Sequence, residues 1–533
     1  MSAARLIINQ WRPDGWGLVS LLAASLPLSA LLGLVWLATR PEASVWAHLW
    51  ANVLPQQTGT TLWLMLGVGT LSAFIGTLSA WIVTFYPIKW RRLIGWALLL
   101  PLAMPTYLMA YSYGDFLDQA GPLYAVWTGF LPAAAYPDFR SLGGAVILLS
   151  LALYPYVYIS ARTAFVQQSA VMIEAGRTLG LSPFACFRQI GLPLARPAVF
   201  VGVALVLMET MNDIGAVEFL GVNTLTLGVY DTWVVRGNLA GAAQLALTLL
   251  GFMALLLVLE RSQRGQSAHY QRTGRRRSLP DFHTTPMLRA LMTGFCLVPI
   301  GLGFVLPVLL LLAHAQGASW PKGLSAAMFN SVALASIAAL CAAALGLALA
   351  FAARNGTTAR RALTRLAALG YAVPGTVLAL GIMTALAFLA ELSLGIILLS
   401  GSATALVIAY VVRFLSLSFG TLEAGYTQIA PGLDMAARSL GAGLNATLAR
   451  VHMPLLRAPL ATATLLVFVD VMKELPATLI LRPFDFDTLA TNVYTFASLG
   501  QMEDAALPAL IILAVGLVPV MLGIGVVESL RRR

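Results

Sequence analysis

Glu174-Ala-Gly-Arg-Thr-Leu-Gly180, running on to Ile190-Gly-Leu-Pro193, is written a second time as Met435-Ala-Ala-Arg-Ser-Leu-Gly441, running on to Val451-His-Met-Pro454. A constant offset of 261 residues relates the two copies. Each reads as a small-residue helical turn, a glycine break and a Leu/Met-Pro stop. Both lie among apolar segments long enough to cross a bilayer, so the chain is a duplicated membrane protein. Alanine and glycine on one face of a short helix let a partner's backbone approach closely, which marks the repeated loop as a docking surface. An interfacial amphipathic helix with no partner is the alternative, and the shared register of the two copies argues against it.

The composition, 59% hydrophobic and only 10% charged, belongs with polytopic membrane proteins rather than soluble domains. A net charge of +11 would admit nucleic acid as a partner, but the basic residues are spread over short loops between apolar spans. Their placement follows the positive-inside rule instead, and no nucleic acid is expected. Cys186, Cys296 and Cys341 lie far apart, without the spacing of a disulfide framework or a zinc site.

Apolar stretches of about 18–25 residues, the length that crosses about 30 Å of hydrocarbon as helix, number twelve. The first half spans 16–38, 61–85, 93–116, 143–165, 198–220 and 240–259, and the second 290–313, 327–352, 364–390, 400–420, 459–481 and 505–527. The chain therefore divides into a first repeat, 1–259, with its loop at about 166–197, and a second, 290–533, with its loop at about 421–458. Between them, 260–289 reads as a flexible basic linker carrying Arg272 and Arg275-Arg276-Arg277, with binding to anionic lipid as a second reading. With twelve crossings, Lys89, Arg91, Arg92, Arg354, Arg360, Arg361, the loop arginines and Arg531 to Arg533 fall on the side of the N-terminus. The other side keeps Arg40, Arg140, Arg236, Lys322 and Arg482, so both termini are expected inside.

The duplication runs beyond the loops. Arg91-Arg92 and a helix containing Pro105 recur as Arg360-Arg361 and a helix containing Pro374, which predicts bends at equivalent places. Thr224 to Tyr230 recurs as Thr488 to Tyr494, with about three extra residues near Phe484-Asp485-Phe486. Charges inside the membrane are rare and expensive, so Glu209, Asn212, Asp213 and Glu218 stand out, as do Asp470, Lys473 and Glu474. At the loop offset Glu209 pairs with Asp470, Asn212 with Lys473 and Asp213 with Glu474, each set expected on one helical face at i, i+3 and i+4. An acidic lining for a translocation pathway is one reading, and internal ion pairs that hold helix ends are the other. A Walker A loop needs Gly-Lys-Ser/Thr, and none of Lys89, Lys322 and Lys473 follows a glycine. The chain is not read as an ATPase.

The paired loops resemble the coupling loop of binding-protein-dependent ABC importer permeases, a cytoplasmic Glu-Ala-Ala-x-x-x-Gly with a later Ile-x-Leu-Pro before the second-last helix of each half. The first copy keeps Glu174, Ala175, Gly180, Ile190, Leu192 and Pro193, with Gly176 for the second alanine. The second keeps Ala436, Ala437, Gly441 and Pro454, with Val451 at the isoleucine's place, but has Met435 at the acid's place and Asp434 one position earlier. The resemblance implies an all-α polytopic membrane protein of about twelve transmembrane helices, two tandem six-helix repeats in the type I ABC importer permease fold. It also implies a place in the bacterial inner membrane, two ABC ATPase subunits docked on the loops and a periplasmic binding protein. On that reading the chain binds no cofactor, and ATP is used by the partner subunits. Met208-Glu-Thr-Met-Asn-Asp-Ile-Gly215 and Asp470-Val-Met-Lys-Glu-Leu-Pro476 further resemble the ferric-iron branch of this family. Permeases for thiamine, polyamines or phosphonates share the architecture. A secondary transporter driven by an ion gradient is the rival class, and it has no use for a matched pair of docking turns.

Overall fold

The computed structural model describes residues 15–39, 43–167, 170–264, 281–282, 284–392 and 402–531. Among these, nine helices are long and apolar enough to cross a membrane, or twelve when three bent helix pairs count as one span each. The chain is an all-helical polytopic membrane protein, as its apolar periodicity indicates. The linker arginines Arg272 and Arg275 to Arg277 lie outside the described residues.

Two of the bends fall at the prolines matched by the repeat. Arg91–Ala103 and Thr106–Leu117 meet at 90°, and Thr358–Tyr371 and Gly375–Ala390 at 114°. A proline drives the residue before it out of the helical region and removes a backbone donor. Met104 and Val373, each just before its proline, are accordingly extended at ψ 114° and 124°. The third bend, 76° between Leu444–Leu455 and Arg457–Met472, has no counterpart in the first half, where Pro183–Asn212 is one span.

The fifth spans differ from the sequence expectation. Instead of running through 198–220 and 459–481, the helices stop at Asn212 and Met472, and the chain turns into the short helices Gly215–Phe219 and Pro476–Leu481. A longer helix follows each turn, and the two are held alike. Thr61 Oγ1 accepts the Leu225 amide at 3.0 Å, and Ser331 Oγ accepts the Leu489 amide at 2.7 Å. Neighbouring spans approach over small residues, as membrane helices do. A Cβ on Gly76 would lie 2.7 Å from Val157 Cβ, and one on Gly346 would lie 2.4 Å from Ser418 Oγ.

The described residues pack as two compact units that do not coincide with the sequence halves. One holds Met1–Trp46, Val229–Leu250 and Lys322–Asn492. In it the first helix, Gly15–Ala38, lies against Gly375–Leu392 so closely that a Cβ on Gly381 would sit 2.4 Å from the Ala30 carbonyl oxygen. The other unit holds Ala47–Gly228, Gly251–Pro321 and Val493–Arg533. There the Tyr113 hydroxyl donates to the Leu302 carbonyl at 2.6 Å, which ties the span after the linker to the first repeat. The boundaries 1–259, 260–289 and 290–533 thus follow the duplication, whereas packing gives the first span of each repeat to the other repeat's core.

Candidate functional site

The two repeated turns have one geometry. Helices Ala170–Thr178 and Pro431–Ser439 end at Gly180 and Gly441, which have φ of 82° and 77°. The Leu181 amide donates to the Gly176 carbonyl at 3.0 Å and the Gly180 amide to Arg177 at 3.0 Å. Ala442 donates to Ala437 at 2.9 Å and Gly441 to Arg438 at 3.0 Å. This is the Schellman C-cap, whose left-handed residue is glycine because any Cβ there is strained. The residue before each glycine is a leucine pushed into the open, Leu179 at 83% and Leu440 at 87% exposure. Ala175 and Ala436 are exposed beside them, while Gly176 and Ala437 face inward. Pro193 and Pro454 are not stops as the sequence suggested. They lie within the continuous helices Pro183–Asn212 and Leu444–Leu455, each just past a π-helical turn, Phe187–Gly191 and Leu448–His452.

The departures between copies have local causes. A Cβ on Gly176 would meet Ile190 Cδ1 at 2.6 Å. The second copy carries Ala437 and the smaller Val451 at those places, so a methyl gained on one side is matched by one lost on the other. Leu192 and Val451 are half-buried between turn and span, as is Glu174, while Met435 at the acid's position is 66% exposed. Asp434 points inward. Its Oδ1 accepts from His452 Nε2 at 2.6 Å and its Oδ2 from Arg354 Nε at 2.9 Å. Burial alone would raise the Asp434 carboxyl, but the hydrogen bonds from His452 and Arg354 and their charge outweigh it and hold it below its ordinary range. Arg354 also donates to the Tyr426 and Ile429 carbonyls, which fixes the start of the loop. The base of the first copy is aromatic. Trp81 packs there against Phe85, Phe165 and Phe187 at ring separations of 4.1, 5.2 and 5.1 Å. Cys186, in this loop, is buried.

Inside the span region the acidic residues separate into two groups. Asp213 is not on a helical face with Glu209, because the helix ends one residue earlier. Its Oδ1 accepts the Ala216 and Val217 amides at 3.0 and 3.1 Å, and its Oδ2 accepts from the Thr106 hydroxyl. Glu474 does the same. Its Oε1 accepts the Ala477 amide at 3.0 Å, and its Oε2 the Thr478 amide at 3.1 Å and hydroxyl at 2.8 Å. Both buried carboxylates cap the short helices from the residue before the N-cap, Ile214 or Leu475, satisfying amides a helix start leaves bare. Glu209, Asn212, Glu218, Asp470 and Lys473 are half-exposed. Lys473 pairs with Asp470 at 2.8 Å, and Glu218 accepts from the Tyr494 hydroxyl at 2.9 and 2.8 Å.

Three residues escaped the sequence reading. Arg413 is a buried charge within a span, a signal as strong as the acids that were noticed. It comes close to Glu474 where Gly375 leaves room, since a Cβ there would lie 2.5 Å from Arg413 Nη1 and 3.0 Å from Glu474 Oε1. Arg354 and His452 were invisible as a pair because Asp434, which joins them, is distant from Arg354 in sequence. The Tyr113 and Tyr158 hydroxyls donate to the Leu302 and Gly95 carbonyls.

The chain is thus a duplicated bundle of membrane helices with two exposed, pseudo-equivalent turns and capped breaks in matching spans. Residues 72–264 match the family described as binding-protein-dependent transport system inner membrane component. The chain is 24% identical over 471 residues, 87% of its length and 88% of the relative's, to the Fe(3+)-transport system permease protein FbpB 2 of Haemophilus influenzae. It is 28% identical over 213 residues, 37% of its length and 69% of the relative's, to the sulfate transport system permease protein CysT of Salmonella typhimurium. A protein of the same organism named as a 2-aminoethylphosphonate transport system permease, PhnU, is 29% identical over 178 residues, 32% of this chain and 62% of that protein. Residues 72–264 carry the domain of this family, and the similarity to transport permeases extends over most of the chain.

Proposed function

We propose that the chain translocates Fe(III) delivered by a periplasmic binding protein, with the energy supplied by ATP hydrolysed on two separate ATPase subunits docked on the paired turns. The observation that carries the coupling is the pair of Schellman turns presenting Leu179 and Leu440 at one register. The iron assignment rests on the similarity to an iron permease along almost the whole of both chains. In this reading the chain lies in the bacterial inner membrane with both termini and both turns cytoplasmic. It binds no cofactor of its own, consistent with lysines that never follow a glycine.

Closure of the ATPases moves the turns. The first turn is tied through Gly176–Ile190 to the span that begins just beyond it, the equivalent positions of the second are Ala437 and Val451, and the displacement is carried toward the breaks at Asn212 and Met472. Differential binding of the ATPases to two arrangements of these spans shifts the population from outward to inward facing. Glu209, Asn212 and Glu218 in one unit, and Asp470 and Lys473 in the other, are the proposed pathway residues, and Asp213 and Glu474 hold the helix breaks beside them. Carboxylate and phenolate oxygens suit a hard cation such as Fe(III). The shorter similarity to PhnU supports a second reading, the same machine for a phosphonate. Uptake of Fe(III), 2-aminoethylphosphonate, thiamine and spermidine into vesicles holding the assembled importer separates them. ATP-dependent uptake of iron alone is expected, and uptake of phosphonate alone would replace the substrate and keep the mechanism.

A further inference from the structure

Each docking turn rests on a platform aromatic, Trp81 or Phe351, and each platform is covered by a second aromatic from outside its repeat. A Cβ on Gly191 would lie 2.4 Å from the Trp81 ring, so Trp81 is seated under the end of the first loop. In the second copy the residue at the place of Gly191 is His452, whose ring lies 5.6 Å from that of Phe351. The cover over Trp81 is Phe282, at the end of the linker and 2% exposed. Its amide donates to the Phe85 carbonyl at 2.9 Å, its ring lies 5.4 Å from Tyr86, and the guanidinium of Arg177, in the first docking helix, stands 5.4 Å above it. Next to it Asp281 pairs with Arg91 at 2.8 Å. The cover over Phe351 is Trp16, edge-on at 4.8 Å, which donates from Nε1 to Asn445 Oδ1 at 3.2 Å in the second loop. Phe282 precedes, and Trp16 opens, a span that packs with the other repeat's core.

We infer that Phe282 and Trp16 are positioning residues, each carried in by an exchanged span and each holding one docking turn in the geometry its partner subunit meets. Phe282 acts on the first turn through Trp81 and Arg177. Trp16 acts on the second through Phe351 and Asn445. The consequence for transport rests on the reading of the turns as ATPase docking surfaces, but the positioning itself does not.

Cys186 in the first loop is a native buried thiol, and Thr447 is its buried equivalent in the second. Maleimide labelling of Cys186 and of an introduced Thr447→Cys, resolved by peptide in the full chain within the assembled importer, therefore reports each turn separately. Phe282→Ala is expected to speed labelling of Cys186 by about tenfold and leave position 447 unchanged, and Trp16→Ala to do the reverse. Phe282→Leu, which keeps the apolar volume but removes the ring under Arg177, gives a smaller rise at Cys186 alone. Phe282→Tyr and Trp16→Phe restore slow labelling. Equal changes at both positions in either variant, or no change at either, would overturn the inference. A selective labelling change with substrate moved per ATP left at the wild-type value would leave the positioning standing and remove the docking reading.

Discussion

Every oxygen of the Asp213 and Glu474 carboxylates accepts a hydrogen bond from the start of a short helix or from a threonine hydroxyl. Removing such a buried cap leaves amides bare, which costs about 1–3 kcal/mol. Asp213→Ala and Glu474→Ala should each lower the melting temperature in detergent by several degrees, whereas Asp213→Asn and Glu474→Gln, which retain an acceptor, should lose less. Glu209→Gln and Asp470→Asn should leave melting unchanged and reduce uptake. The pairing of these acids at one offset was legible in the sequence, but their role was not, because a cap and a helix-face residue look alike until the helix end is known. One clue was present: Pro476 follows Glu474 by two residues, and a carboxylate just before a proline is a helix-start signature. Asp434 carries the pH dependence. Its carboxyl is held below the ordinary 3.8, so its contribution is fully present above that pH and is lost as the pH falls through the lower folded value. Hydrogen exchange corrected for intrinsic rate should therefore show the amides of Ala436 to Leu440 losing protection below about pH 4. Those of Ala175 to Leu179, whose base is aromatic, should not.

At the level of the turn, the two copies are alternative solutions to one packing problem. Gly176→Ala should overpack against Ile190 and Ile190→Val should leave a small void, each costing about 1 kcal/mol, while the double variant, which reproduces the second copy, should be near neutral. A double-mutant cycle on thermal stability measures this, and additive costs would show that the two positions are not coupled. The glycines at the turn ends and the prolines at the bends could be read directly, since left-handed φ and a missing N–H are properties of those residue types alone. The Arg354–Asp434–His452 network could not, since it joins partners that only the folded loop brings together. The stops at Asn212 and Met472 were also missed, because apolar composition continues across a break that only the capping carboxylates mark.

For the molecule as a whole, the duplication, most of the spans and the paired glycine turns were written in the sequence, because repeats, apolar length and glycine position are local quantities. The exchange of spans between repeats was not. Hydropathy says that Gly15–Ala38 is buried in something apolar, and only contacts such as Ala30 on Gly381 say in what. In the proposed function, transport is driven from outside the chain through two turns whose glycines, with no atom within 4 Å of an added Cβ, face open space. The most direct test is ATP consumed per Fe(III) imported by vesicles holding the importer, with the wild-type chain and with Gly180→Trp and Gly441→Trp combined. The account predicts ATP-dependent import by the wild type, and a variant that stays folded in the membrane but hydrolyses ATP without import. Import that is indifferent to ATP, or a wild-type ratio in the double variant, would contradict it.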